Sequence, residues 1–286
     1  EIYRVNFIQQ IQTGLIAYKE AHAFIKKNSF YSYFFIPVLF NLILFVLFSG
    51  LVWHYAQMYA DSIYYTLNID SLDFGNFSFF KGVIRFAIAF IFKLLGLMLY
   101  MIIFRNVVLI LMAPVLTIVS EKTDEIITGK TYPFEWLQFL KDIFRGIIIA
   151  IKNSLKEVFY TLVIFLLSFV PVIGFAGAFL VFFMQSYFYG FSMIDYTMER
   201  AKMNIQQSES FIWQHKWVAI AIGTVFNLLV AVSTTFSIFP SVFVSFFVKV
   251  FLLIPLIALS VAPIYGVVAG TIASLKILKT ENNLEQ

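Results

Sequence analysis

Cysteine is absent from the 286 residues, which excludes a disulfide framework, a thiolate metal site and a cysteine nucleophile. Histidine occurs only at His22, His54 and His215, a scatter without the H-E-x-x-H type of ligand spacing, so no metal is expected. No G-x-x-x-x-G-K-[ST] loop is there to cradle a nucleotide, and neither Ser120 nor Ser154 stands in a G-x-S-x-G context. Charge is also sparse: 13% of residues are charged, against roughly a quarter in soluble domains. These absences speak against a soluble enzyme, and no cofactor is expected.

What fills the chain is hydrocarbon, with 61% hydrophobic residues. In lipid every backbone donor and acceptor must be satisfied internally, which leaves helices or a closed barrel. Barrel strands alternate in and out over segments of about 10 residues, whereas the stretch 34–53 is apolar nearly throughout. The expected fold is therefore an all-α integral membrane protein in a single membrane domain, with the lipid bilayer as its first partner. The net charge of +4 comes from cations flanking apolar runs, as positive-inside placement requires, so no nucleic-acid partner is expected. Residues 1–12 lack the cationic start, apolar block and cleavage site of a signal peptide. The first membrane helix is expected to serve as the targeting signal.

Residues 7–27 mix Phe7, Ile8, Ile11, Leu15, Ile16 and Ala23 with glutamines and lysines at helical spacing, which predicts an amphipathic interfacial helix. Two long apolar runs, 31–65 and 79–120, predict transmembrane helices longer than the ~30 Å bilayer core. The loop 61–76 between them holds Asp61, Asp70 and Asp73 and no lysine or arginine, which assigns it to the non-cytoplasmic side. The segment 130–157 carries Lys130, Lys141, Arg145, Lys152 and Lys156 among isoleucines and reads as a helix along the cytoplasmic face. Beyond it, 158–196 is broken by Pro171, Gly174 and Gly177, and 217–275 by Pro240, Pro255 and Pro263. Both read as proline-broken, re-entrant helical hairpins, with Pro171 and Pro255 at tips or bends. The stretches FVPVIGFAGA (169–178) and LIPLIALSVAP (253–263) share a proline after an aliphatic pair. They form either a weak internal repeat at the functional centre or two kinked hairpins of similar composition.

Ionisable groups inside membrane spans are functional candidates by default. Lys93 follows Arg85 by eight residues, about 12 Å along a helix; it either attracts an anion along a pore or pairs structurally. Arg105 lies on another face and reads as the partner of an acidic residue such as Asp195 or Glu199, or as an interfacial anchor. Lys249 is a second pore cation or an interface marker. Glu121 and Glu125 share a helical face, and with Asp124 they read chiefly as a network with Lys122, Lys141 and Arg145.

The order of several blocks resembles the CysZ family of bacterial inner-membrane proteins associated with sulfate uptake. They are FIPVLFNLILF (35–45), APVLTIVSEKTDEIITG (113–129), LKDIFRGI (140–147), FVPVIG (169–174), MIDYTMER (193–200) and IPLIALSVAPIYGVVAGT (254–271). The resemblance implies two long membrane-spanning helices, two hairpins that penetrate part of the bilayer, a homo-oligomer, and passage of sulfate or a related small anion without nucleotide hydrolysis. It places the chain in the bacterial inner membrane as a multi-pass protein. The chain departs from the family at the turn before the Pro37 helix, where members carry Gly-x-Arg-Arg and this sequence has Ser29, Phe30, Tyr31 and Ser32. A helix N-terminus there still offers backbone N–H groups, with hydroxyls from Ser29, Tyr31 and Ser32. Lys26 and Lys27 upstream are anion-binding candidates or interfacial anchors. The stretch 234–249 is also longer than the family pattern. The alternative function is a noncatalytic membrane scaffold or accessory subunit sharing the fold.

Overall fold

In a computed structural model the described residues are 6–71, 79–131, 135–167, 171–241 and 247–284. Within these helices the side chains of 93–110, 231–241 and 247–259, with a few others, lie outside the description. The described residues form α1 (Phe7–Lys27), α2 (Ser32–Thr66), a short 3-10 turn (Ile69–Ser71), α3 (Phe79–Thr128), α4 (Trp136–Leu167), α5 (Pro171–Arg200), α6 (Ile205–Gln214), α7 (Lys216–Ser241) and α8 (Phe247–Leu284). Among them there is no strand, as the absence of alternation predicts. Contacts divide the chain into two units, Glu1–Leu39 with Leu109–Gln286, and Phe40–Val108.

The first unit is built on α5, α7 and α8, with α1 against α7 and α8 and with α4 against α5. Its centre is close-packed through small residues. A Cβ on Gly190 of α5 would stand 1.8 Å from the Ala219 carbonyl oxygen, and one on Gly223 of α7 would stand 1.7 Å from the Ser186 carbonyl oxygen. The pairs Ser186/Gly190 and Ala219/Gly223 are each four residues apart, the small-xxx-small spacing that lets helix backbones touch. Asn227 donates to the Ser186 hydroxyl at 3.0 Å, and around this seam lie the buried Met193, Ile194, Met198, Ile222, Phe226 and Ile264.

On α1 the buried face is Gln10, Gly14, Ala17, Ala21 and Ile25, while Ile8, Leu15 and Ile16 are exposed. The sequence pattern marks the larger side chains as the apolar face; the packed face is the small-residue stripe, because only it admits the α7 backbone beside Gly14. On α4 the ordinary polarity is reversed. Leu137, Phe144, Ile148, Ile151, Leu155, Phe159, Leu162 and Leu166 repeat at steps of three, four or seven residues and are all exposed, whereas Asn153 and Glu157 are buried. An apolar stripe of this length facing outward is the pattern of a helix whose surroundings are apolar.

The observed helices shift several expected boundaries. Helix α3 continues through the acidic cluster to Thr128 rather than ending at 120, and α4 joins the basic segment to the first part of the expected 158–196 hairpin. Pro171 is the first residue of α5, where its missing N–H has no helical partner in any case. Pro255, expected at a tip or bend, instead falls inside α8, as does Pro263; the interval between α7 and α8 is 242–246, just after Pro240. A proline is tolerated within an apolar helix when neighbouring groups satisfy the carbonyl it frees. Pro114 within α3 and Pro37 within α2 behave alike.

Among the described residues one stretch, Ser260–Glu281, is long and apolar enough to cross a membrane by length and composition, with 67% of its apolar window buried; Ser32–Leu44 and Lys216–Val230 are shorter apolar helices. In the second unit, taken by itself, Arg85 of α3 donates to Asp61 of α2 at 3.0 Å and lies over the Tyr64 ring at 5.4 Å.

Candidate functional site

Two polar centres lie in the first unit. The first is a buried ion network where α3, α4, α5, α6 and α8 meet. Arg145 of α4 addresses Asp195 with two nitrogens, Nη2 at 3.0 Å and Nε at 3.4 Å, and donates from Nη1 to the Met203 carbonyl at 2.6 Å. Ser208 donates to the same Asp195 carboxylate, and Glu199 stands 3.6 Å from Arg145 Nε. One turn further, Arg200 binds Asp124 at 2.9 Å and reaches Ser120 at 2.7 Å. Ser120 in turn meets Thr271 of α8 at 2.7 Å.

Helix periodicity assembles this centre. Asp195 and Glu199 are four residues apart and so share one face of α5, while Arg200 turns toward α3. The carboxylates exceed the arginines, and the excess shows in protonation. Burial, reinforced by Asp142 and opposed by Arg145, pushes the Glu199 carboxyl up to about 9. Burial and then Glu125 raise that of Glu121. On the outer side, Lys152 and Lys156 both contact Glu209, and the Lys152 hydrogen bond chiefly holds its carboxyl below the usual range.

The second centre is the turn between α1 and α2. The Phe30 N–H bonds back to the Ile25 carbonyl at 3.2 Å, Ser29 adopts a left-handed φ of 56°, and the Phe24 and Phe30 rings meet at 5.2 Å. These are the elements of a Schellman ending, which reverses the chain within a few residues. The reversal gathers Lys26 and Lys27, in the last turn of α1, with Ser29, Tyr31 and Ser32 at the start of α2, all exposed. Beside them Phe34 stacks on Tyr265 of α8 at 6.0 Å, and the Tyr265 hydroxyl lies 3.1 Å from His22 Nδ1.

The structure thus brings the five turn residues together, and it places Glu121 and Asp195 in the ion network and Glu125 beside Lys122. Asp195 and Glu199 meet Arg145, and Asp124 meets Arg200. Register sets these pairs: Arg145 faces α5 from α4, and the last turn of α5 delivers Arg200 to Asp124. Lys93 and Arg105 fall within α3, and Lys249 within α8, but their side chains lie outside the described residues. Sequence reasoning missed Arg200, Ser208 and Thr271. The signal for Arg200 was its place directly after Glu199 in MIDYTMER; the two hydroxyls carry none.

Comparison with known families gives a match to the model described as Sulfate transporter CysZ/Etoposide-induced protein 2.4 over residues 17–263, from α1 into α8. No curated protein matches the chain. The matched stretch contains both polar centres apart from Thr271 and Tyr265, and the family's description carries transport in general and a membrane as its setting. On the extent of this match, the chain belongs to the sulfate transporter CysZ/etoposide-induced protein 2.4 family.

Proposed function

We propose that the chain is a CysZ-like channel or transporter that passes sulfate or a related small anion across the bacterial inner membrane as a multi-pass homo-oligomer without enzymatic activity. The observation that carries this reading is the exposed turn at the start of α2. It gathers two lysines that meet no carboxylate among the described residues and three hydroxyl-bearing residues beside a helix N-terminus. Backbone N–H groups and the positive end of the helix dipole favour an oxyanion there. In this reading Lys93 supplies attraction along the path in a region of low dielectric.

Two observations favour a second reading, a membrane scaffold or accessory subunit. Arg145 and Arg200 are each bound to a carboxylate, and the family's arginine pair is missing from the turn.

Flux in liposomes containing this protein alone decides between them. Sulfate and chloride permeation should both be measured against empty vesicles, and Lys93→Ala should reduce anion flux while leaving assembly intact. If neither anion permeates above the empty-vesicle rate and Lys93→Ala alters assembly instead, the scaffold reading holds.

A further inference from the structure

The corner between α6 and α7 holds a cluster that the anion path does not use. Lys216 Nζ lies 4.6 Å from the centre of the Trp213 ring and 5.8 Å from that of Trp217. Trp217 in turn packs nearly perpendicular to Phe7 of α1 with ring centres 4.7 Å apart, and Trp213 meets Tyr187 of α5 at 5.9 Å. The ammonium is therefore positioned by aromatic faces, an attraction that uses its charge while leaving its N–H donors available.

The surrounding charges leave this cation uncompensated. Among the described residues no carboxylate lies within ion-pair distance of Lys216: Glu209, the acid of α6, is bound by Lys152 and Lys156, and Glu281 faces His215. Neither indole N–H has an acceptor among the described residues. The flank is apolar and open, with Trp213 59% exposed and Ile8 of the adjoining α1 56% exposed. Behind the cluster, Lys216–Val230 is an apolar helix, so the cluster stands at the polar end of an apolar element, where indole rings and lysine are favoured at a membrane boundary.

We propose that Trp213, Lys216 and Trp217 form a binding site for the phosphodiester of an anionic phospholipid, with Phe7 and Ile8 entering the upper acyl region. Lys216 and the indole N–H groups supply donors to the phosphate oxygens, and the ring faces take the place of water against the glycerol and first methylenes. A free oxyanion would meet the same donors, but it would leave the exposed Trp213, Phe7 and Ile8 surface uncovered, which is why the lipid is the better occupant. The site rests on the membrane reading given above and not on anion passage.

The test uses the full chain carrying Trp53→Phe and Trp136→Phe, so that fluorescence reports only on the corner, in nanodiscs mixing phosphatidylcholine with phosphatidylglycerol. Either lipid is dibrominated near the top of one acyl chain in turn. At equal mole fraction, brominated phosphatidylglycerol should quench more strongly, corresponding to an enrichment of about fivefold for one lysine at an anionic surface. Lys216→Arg should keep that excess and Lys216→Gln should remove it. Equal quenching by the two lipids in the unsubstituted corner overturns the site whatever the variants do, as does an excess that survives Lys216→Gln. Displacement by sodium sulfate but not by chloride of the same ionic strength would make it a free-oxyanion site instead. Anion flux measured on the same protein separates this outcome from failure of the transport reading.

Discussion

At the meeting of α3, α4 and α5, Arg145 and Arg200 are 15% and 11% exposed and each meets a carboxylate within 3.0 Å. At the end of α1, Lys26 and Lys27 are exposed and meet no carboxylate among the described residues. The same sign of charge therefore serves two purposes in one unit. A guanidinium withdrawn from water needs a geometrically matched partner, because its desolvation is repaid only through close, multiple hydrogen bonds. An ammonium left in water needs none, and it remains available to an incoming anion. The difference separates groups that hold helices in register from groups suited to a ligand, and each side of it can be tested.

The largest effect is expected on the buried side. Asp195→Ala removes the two-pronged partner of Arg145 and leaves a buried cation, which should destabilise the protein by ~3–5 kcal/mol. The combined change Arg145→Met with Asp195→Leu should be far milder, since it removes both charges and keeps the volume filled. Thermal melts in detergent give the comparison. A double variant as damaged as Asp195→Ala would show that the pair does more than compensate its own burial.

A smaller and pH-dependent effect belongs to Glu199. Its carboxyl titrates at about 9 in the fold, against roughly 4.3 in an unfolded chain, so between these values the folded protein holds a proton that the unfolded chain does not. By linkage, this contribution is complete below the unfolded value and declines as pH rises toward about 9. The melting temperature should therefore fall from pH 6 to pH 9 by more in the unmodified protein than in Glu199→Gln, where no proton can be lost. Parallel slopes for the two would place the pH sensitivity on another group.

Most of the described helices were legible because long apolar runs are simple to read: they predict α2 and most of α3, and mixed spacing predicts α1. What misled was proline. A proline inside a helix removes one backbone donor and often ends or kinks it, but Pro255 lies inside α8. The polar centres were legible in part. The acidic residues of EKTDEI and MIDYTMER are visible against an apolar background, yet partner choice depends on which turn of α4 faces α5, and that is decided by packing far from the charges. The α5–α7 seam is likewise set by small residues such as Gly190 and Gly223, and a glycine in an apolar run gives little hint that a neighbouring backbone will lie against it.

The smallest effect on stability should come from the exposed side, and there it carries the most functional meaning. Lys26→Ala with Lys27→Ala removes two cations that contact no carboxylate among the described residues, so stability should change by no more than ~0.5 kcal/mol for each surface substitution. If the α1–α2 turn receives the anion, the same variant should require more sulfate to reach half-maximal flux in liposomes, and the difference should shrink as ionic strength rises, because exposed charges are screened. The opposite change is Tyr31→Arg with Ser32→Arg, which adds charge-assisted donors beside the α2 N-terminus. It should lower the sulfate needed, and should do so more for sulfate than for chloride, since a dianion gains more from each added charge. A turn that serves only to reverse the chain would respond to neither change, and both variants would then match the unmodified protein in flux as well as in melting temperature.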